Sequence, residues 1–375
     1  MGSFIGYQTA AGLRYKVTYR DHERKAREKN GFKNQKEAKD YLREIETAIS
    51  KGEYVDPKSA KVTVAEIGAE WIANQKAHLK PSSLRVLETA WTLHIEPEWG
   101  QRRVGDIRHS QVASWVSKFI HNNGKPRSAT VVIRAYGVLC GILDVAVLDR
   151  RISTNPARGI KMPRKGKKKR AYLTRPQVEI LAKHSGEHST LVYLLSYTGI
   201  RWGEAVGLRI SNLDMLRRRM NIEENAVILG GTVEVGTTKS HDNRSVPFPQ
   251  FLAVPLAQAC EGKTRQQLVF GNGDAHQMRP GSGKGWFHRA LLAAQAEDST
   301  IPYLTPHDLR HTAASLAISS GANVKALQRM LGHASAAMTL DTYADLFDDD
   351  LDAVATRMDE ARSKAVVGFL SGAGF

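Results

Sequence analysis

The chain has 375 residues, which is enough for two or three domains, and its 42% hydrophobic and 25% charged residues are typical of a globular protein. Lys and Arg number 54 against 38 Asp and Glu, and the resulting net charge of +16 favours a polyanionic partner, most simply nucleic acid. Two cysteines, Cys140 and Cys260, exclude a disulfide framework and a cysteine-based metal site. Without a long apolar run or a signal-peptide core, we expect a cytoplasmic protein and no membrane partner.

The first predicted domain, residues 1–55, combines short strands with one helix. The segment GLRYKVTYR alternates like a strand, and KAREKNGF predicts a neighbouring strand. In NQKEAKDYLREIETAISKG, Asn34 is the predicted N-cap, Glu37 completes a capping box and Gly52 ends the helix. Residues 1–52 contain twelve Lys or Arg, so this unit is either an accessory DNA-binding module or a packing appendage.

Residues 62–155 are predicted to form a four-helix domain, because apolar residues repeat at intervals of three and four in four segments that proline and glycine separate. Residues 156–170 follow as a basic linker, in which six of the seven residues from Arg164 to Arg170 are Lys or Arg. A like-charged block of this kind is usually solvated and mobile. Between two domains of a basic protein, it is equally suited to lie along a phosphate backbone.

Residues 171–347 are predicted to form a mixed α/β domain that is mostly helical. Its strand-like region, MNIEENAVILGGTVEVGTTKSHDNRSVPF, is interrupted by two glycines and by a polar turn that contains Lys239. The tail, residues 348–375, begins acidic and ends apolar, which suggests a helix that docks on the same chain or on a neighbouring copy. These patterns together predict a multidomain, mainly α protein.

The segment TPHDLRH, residues 305–311, places a histidine and an arginine at the start of a predicted helix. Thr305 fits the N-cap, and His307 and Arg310 share one face at the helix end that favours a phosphate. His307 and His311 also imitate the paired histidines of a zinc-protease helix. However, Asp replaces the Glu of that motif and Arg310 brings a positive charge toward the site, so we expect no metal.

Four further residues, Arg201, Lys239, His333 and Tyr343, lie elsewhere in this predicted domain. Arg201 begins a helical pattern, with Glu204 one turn later to brace its guanidinium, and an arginine so held can clamp a phosphate. Lys239 lies in a turn from which its ammonium can reach a ligand, His333 follows Leu-Gly at a helix end, and Tyr343 lies in TLDTYADL. Taken alone, these residues are more simply explained as an exposed arginine, a solvated lysine, a capping histidine and a core tyrosine.

Taken together, these segments resemble the motif set of the tyrosine recombinases. The order and spacing match from TGIRWGEAVGLR, through the Lys239 turn and HDLRH at 307–311, to LGH at 331–333 and DTY at 341–343. The region 62–155 is similar to the core-binding domain of that family, and the first 52 residues resemble the arm-binding domain of phage and integrative-element integrases. The resemblance implies no cofactor and the following catalytic residues: Arg201, Lys239, His307, Arg310, His333 and Tyr343.

The resemblance also implies a mechanism. Tyr343 would attack a DNA phosphodiester to form a covalent 3′-phosphotyrosine, while Arg201 and Arg310 stabilise the phosphoryl oxygens. His307 is the better candidate base, His333 adds hydrogen bonds or proton transfer, and Lys239 resembles the general acid of the family. The implied partners are double-stranded DNA with core-type and arm-type sites, three further copies of the chain in a tetramer on synapsed DNA, a host DNA-bending protein and an excisionase. The two larger domains would clamp the duplex, with the basic linker crossing it.

Three other classes remain open at this point. A type IB topoisomerase shares the chemistry, although the added N-terminal module favours recombination. A non-catalytic DNA-binding protein is the second class, since SSGANVKALQRMLGH resembles a helix-turn-helix. A zinc hydrolase is the third, and its activity would be lost in EDTA.

Overall fold

A computed structural model shows that the chain folds into two compact units, residues 1–167 and 168–375. The structure describes the chain from residue 2 to residue 363 with several gaps. The described residues are 2–21, 24–52, 54–56, 58–122, 124–166, 170–229, 232–237, 244–281, 283–346, 355–356, 358–360 and 362–363.

The first unit begins with a three-stranded antiparallel sheet that is covered by one helix. Alternating side chains of the central strand and apolar residues of the helix form a small core around Val17, Ala38 and Leu42. The sheet has the strand order β1-β2-β3. The elements are β1 (Ser3–Thr9), β2 (Gly12–Arg20), β3 (Ala26–Phe32) and α1 (Gln35–Ser50).

Both predicted ends of α1 are confirmed. The Asn34 side chain accepts a hydrogen bond from the Glu37 N–H at 2.8 Å, and Gly52 takes the left-handed conformation with φ +72° just after the helix. One detail differs from the expected capping box, because the Glu37 carboxylate accepts from the N–H of Lys33, at 3.0 Å, rather than from that of Asn34. The local sequence therefore specifies where this helix starts and stops.

The described residues in the rest of the first unit form four main helices, as the apolar periodicity predicts. The second of them includes a π-helical stretch, Trp91–Ile95, and Gly68 allows the close approach of Trp91, whose ring would lie 2.4 Å from an added Cβ. A hairpin of two strands, each two residues long, separates the last two helices. The elements are α2 (Val64–His78), α3 (Pro81–Ala90) with its continuation α4 (Glu96–Trp99), α5 (His109–Phe119), β4 (His121–Asn122), β5 (Lys125–Pro126) and α6 (Ala129–Leu148).

Within the described part of the chain, α6 is the one helix long and apolar enough to cross a membrane by length and composition. Its side chains Leu139, Ile142 and Leu143 are fully buried in the core that α6 shares with α2, α3 and α5. Its apolar composition is therefore explained by its place at the centre of the helical unit.

The helical unit extends past the predicted boundary at residue 155. Ala157 is fully buried, its carbonyl accepts a hydrogen bond from the Tyr136 hydroxyl, and Arg158 forms an ion pair with Asp144. The first residues of the predicted linker 156–170 thus belong to the helical core, because they still carry apolar and paired side chains. Three residues of its basic block, 167–169, lie outside the described residues.

The second unit is the predicted mixed domain, in which helices predominate. Its core lies between α7, α8, α11 and α12, and the three small sheets are antiparallel, with strand orders β10-β7-β6, β8-β9 and β11-β12. The elements are α7 (Arg175–His184), α8 (Ser189–Thr198), α9 (Trp202–Val206), β6 (Leu213–Asp214), β7 (Arg219–Ile222), β8 (Glu224–Leu229), β9 (Thr232–Thr237), β10 (Arg244–Pro247), α10 (Ala253–Cys260), β11 (Gly271–Asn272), β12 (Ala275–His276), α11 (Trp286–Glu297), α12 (Asp308–Ser319), α13 (Val324–Leu331) and α14 (Ala336–Tyr343).

Most of the predicted tail, residues 348–375, lies outside the described residues. The described positions 355–356, 358–360 and 362–363 are helical. Docking of the tail on this chain or on another copy stays a prediction.

Candidate active site

A buried carboxylate between two arginines organises one side of the site. Glu204 is 2% exposed and accepts hydrogen bonds from Arg201 Nη1 at 2.7 Å, Arg244 Nη1 at 3.0 Å and Arg244 Nη2 at 2.6 Å. Burial alone would raise the pKa of Glu204, but the hydrogen bonds and charge of Arg244, together with Arg201, lower it below its ordinary value. Glu204 is therefore ionised and holds both guanidinium groups, which confirms the predicted brace of Arg201.

The second arginine of the predicted set, Arg310, is held by helix ends. It is 5% exposed, and its Nη1 and Nη2 each donate at 2.6 Å, to the carbonyl oxygens of Gly199 and Leu331 respectively. Gly199 follows α8 and Leu331 ends α13, so Arg310 meets the carbonyls left unpaired at two helix C-termini, where the helix dipole favours a cation. Burial and the charge of Arg201 lower the pKa of Arg310 to about 10, which still leaves it protonated at neutral pH.

The LGH motif, residues 331–333, joins the two arginines to a histidine. The Leu331 carbonyl accepts from Arg310, and the next carbonyl, that of Gly332, accepts from Arg201 Nη2 at 3.3 Å. Gly332 has φ +65°, and a Cβ there would lie 2.8 Å from Arg244 Cζ, so glycine is needed for both conformation and space. Consecutive carbonyls thus bring both guanidinium groups to one place beside His333.

His333 is oriented by its own hydrogen bond. Its Nδ1 lies 2.9 Å from the hydroxyl of Thr339, which is fully buried in α14. With Nδ1 bonded to Thr339, the other ring nitrogen, Nε2, has no hydrogen-bond partner among the described residues and can contact a substrate oxygen. Burial, followed by the charges of Arg310 and Arg201, lowers the pKa of His333 to about 4, so the imidazole is neutral at pH 7.

Tyr343 is the last residue of α14 and lies beside His333 and His311. It is 1% exposed and packs among Ala314, Ile318, Leu327 and Leu331. Its ring is parallel to that of His333, with the ring centres 6.4 Å apart. Burial raises its pKa to about 12, although Arg310 and Arg170 act in the opposite direction, so the phenol is protonated at rest.

The hydroxyl of Tyr343 is paired with His311. The distance from His311 Nδ1 to Tyr343 Oη is 2.9 Å, and burial followed by the neighbouring His307 lowers the pKa of His311 to about 4. His307 itself contacts the His311 ring edge-on, with ring centres 5.7 Å apart, and burial followed by the charge of Arg310 lowers its pKa as well. The two histidines are thus adjacent and neutral at pH 7.

Lys239 is the one residue of the predicted set that lies outside the described residues. It belongs to the segment between β9 and β10, which pair with β8 and β7 respectively. The structure brings Arg201, Arg310, His333 and Tyr343 together, with His307 next to His311.

Sequence reasoning missed two residues of this site. Arg244 opens β10 and pairs with Glu204, but it reads as one more basic residue after a polar turn. His311 was considered only as a zinc ligand beside His307. The available signal for His311 was its spacing, because one helical turn separates it from His307 on the same face of α12.

Chemically, the pocket concentrates fixed positive charge around neutral acid–base groups. Three arginines, Arg201, Arg244 and Arg310, are hydrogen-bonded to carbonyls or to a shared carboxylate, so they are pre-oriented donors for an anion. Neutral imidazoles and a protonated phenol stand next to them. Such a set suits transfer of an anionic phosphoryl group to the phenol.

Comparison with known proteins shows the family to which this chain is similar. Residues 172–349 match the phage integrase family, and residues 63–120 match the N-terminal SAM-like domain of phage integrases. An integrase of Mycobacterium phage D29 is 26% identical over 325 residues, which are 82% of this chain and 83% of that protein. A tyrosine recombinase of Thermosipho africanus is 26% identical over 245 residues, 64% of this chain and 80% of its own length.

Solved structures share the fold. The Tn1549 transposon integrase in complex with transposon right end DNA superposes with a TM-score of 0.65 at 20% identity, covering 78% of this chain and 100% of that one. A lambda integrase tetramer bound to a Holliday junction gives 0.58 at 16% identity, covering 89% of this chain and 94% of that one. With the family matches spanning both the helical region and the catalytic unit, the chain belongs to the phage integrase family of tyrosine recombinases.

Proposed function

We propose that this site-specific recombinase cleaves and rejoins DNA through a covalent bond between Tyr343 and a DNA 3′-phosphate. The observation that carries the proposal is that the LGH motif, residues 331–333, binds both arginines and places His333 next to Tyr343. Successive carbonyls of Leu331 and Gly332 fix Arg310 and Arg201, and the ring of the next residue, His333, lies parallel to the Tyr343 ring with the ring centres 6.4 Å apart. A phosphate bound by the two arginines would therefore lie beside the phenol.

In the cleavage step, Tyr343 Oη bonds to phosphorus and the bond from phosphorus to the 5′-oxygen breaks. Arg201 and Arg310 stabilise the charge on the non-bridging oxygens. His333 supplies a hydrogen bond from its free nitrogen, and His307 stands at the helix start as a further donor or acceptor. Lys239 is the proposed acid that protonates the 5′-oxygen. Because the phosphotyrosine conserves the phosphodiester bond energy, a 5′-hydroxyl from a partner strand can reverse the step without ATP.

Double-stranded DNA and further copies of this chain are the proposed partners. The +16 net charge supports DNA binding, and the lambda integrase of similar fold is a tetramer on a Holliday junction. We propose the same assembly here, with the unit of 62–155 on core-type sites and residues 164–170 along the backbone. A host DNA-bending protein and an excisionase are the proposed accessory factors, and the site of action is the cytoplasm of a bacterial host.

The N-terminal sheet and α1 form the proposed arm-binding domain, residues 1–55. This module has its own small core and contains twelve Lys or Arg in residues 1–52, which supports a separate DNA-binding role for it. One protomer could then bridge an arm-type and a core-type sequence.

The test uses a nicked suicide duplex that carries the crossover site, located first by mapping cleavage on phage and chromosomal attachment sequences. Wild-type protein should accumulate a covalent adduct through a 3′-phosphate, with or without EDTA, and Tyr343→Phe should form none. Tyr303→Phe is the matched control, since Tyr303 is 60% exposed and precedes the TPHDLRH helix. An adduct that persists in Tyr343→Phe would refute the proposal. Formation of junctions from two labelled duplexes separates a recombinase from a type IB topoisomerase.

A further inference from the structure

The hydrogen bond between His311 and Tyr343 joins two residues that lie 32 positions apart in the sequence. The contact crosses from α12 to the last residue of α14, and the two rings meet edge-on with centres 5.7 Å apart. Among the described residues, the hydrogen-bond partner of the nucleophile hydroxyl is therefore His311, while the His307 ring contacts the His311 ring.

The surroundings hold this pair in place. α12 is anchored on both sides of His311, because Arg310 is bound to two carbonyls and the Thr312 hydroxyl accepts from the Leu173 N–H at 3.1 Å. Tyr343 is buried on its other faces by apolar side chains and by the parallel His333 ring. A hydroxyl so enclosed has its direction set by the imidazole.

We propose that His311 is a catalytic residue of this recombinase, the proton acceptor that activates Tyr343 for attack on the DNA phosphate. The proposal rests on Tyr343 as the nucleophile. The neutral imidazole keeps its proton on Nε2, and the hydroxyl donates to Nδ1. As Oη bonds to phosphorus, its proton passes to Nδ1, and the departing 5′-oxygen is protonated by a separate acid. In the rejoining step the imidazolium returns the proton to Tyr343 as the phosphotyrosine bond breaks.

The electrostatics decide when the proton moves. With the pKa of Tyr343 raised to about 12 and that of His311 lowered to about 4, the pair stays neutral in the resting protein. Transfer therefore accompanies attack, because an oxygen bonded to phosphorus loses its basicity. The incoming phosphate also adds a negative charge that stabilises the imidazolium. His307, edge-on to His311, is then a neighbour of the acceptor and not the acceptor itself.

The test compares His311→Asn and His311→Ala in single-turnover cleavage of the nicked suicide duplex. Asparagine keeps a hydrogen-bond acceptor near the position of Nδ1 but cannot take a proton, so it separates base catalysis from orientation. Both variants should cleave about 10²-fold or more slowly than wild type. His184→Asn is the matched control, because His184 is also partly buried and bonded, to Glu297 at 2.8 Å, outside the site. It should cleave at the wild-type rate.

A second substrate identifies the step. When sulfur replaces the bridging 5′-oxygen, the leaving group needs no acid, so Lys239→Ala should recover whereas His311→Asn should stay slow. The assignment is overturned if His311→Asn cleaves at the wild-type rate or recovers on the sulfur substrate. In either case Tyr343→Phe remains inactive and the proposed function stands. An adduct in Tyr343→Phe would instead refute the proposed function itself.

Discussion

Replacing Glu204 with glutamine should destabilise the catalytic unit and displace Arg201 at the same time. The carboxylate is 2% exposed and accepts three hydrogen bonds of 2.6–3.0 Å from two guanidinium groups. The amide keeps the shape but loses the charge, and it replaces one acceptor with a donor that faces a cation. Breaking a buried ion pair from one side costs about 3–5 kcal/mol. For a unit of about 200 residues, this corresponds to a loss of roughly 6–20 °C in Tm.

The assay is urea unfolding at neutral pH, with Glu297→Gln as the matched control. Glu297 also meets two basic side chains, Lys183 at 2.9 Å and His184 at 2.8 Å, but its side chain is 39% exposed. Its replacement should cost much less than that of Glu204, because exposed pairs are screened by water. Equal losses in the two variants would refute the argument that burial makes the Glu204 contact strong.

The same variant has a pH signature. The pKa of Glu204 is lower in the folded chain than its ordinary value of 4.5, so its stabilisation is complete above that value and is lost as pH falls through the folded pKa. The difference in unfolding free energy between wild type and Glu204→Gln should therefore be constant near neutrality and shrink in acid. A difference that grows on acidification would contradict the assigned direction.

Three further perturbations test the phosphate clamp, the LGH motif and the first domain. Arg310→Ala should slow strand cleavage by about 10²–10³ while DNA binding in a gel shift falls much less, since many phosphate contacts share the affinity; wild-type cleavage would remove this arginine from the site. Gly332→Ala should destabilise the protein in thermal unfolding by about 1–3 kcal/mol. Gly262→Ala is the control and should cost less, because both glycines have positive φ but only the methyl group at position 332 would meet Arg244. A chain that starts at Thr63 should keep cleavage of core-site oligonucleotides and lose integration into a full attachment site, and normal integration by that chain would refute the arm-binding assignment.

Local signals in the sequence were enough for the elements and for most of the site. Asn34, Glu37 and Gly52 mark the ends of α1 because capping depends on residues within one or two turns. The four helices of residues 62–155 are predicted by the periodic spacing of their apolar residues, and these residues form the core of that unit. The predicted brace between Arg201 and Glu204 is also local, since the two residues are three positions apart.

The partners of the catalytic side chains were decided only by the tertiary structure. Arg310 meets the carbonyl of Gly199, 111 positions away, and the Tyr343 hydroxyl meets His311, 32 positions away. Sequence order gives no measure of such distances, so the sequence pairs His311 only with His307 and gives no sign that Arg244 belongs to the site. Both assignments depend on how α12, α14 and β10 pack against α13, and that packing is set by the burial of side chains distributed over the whole unit.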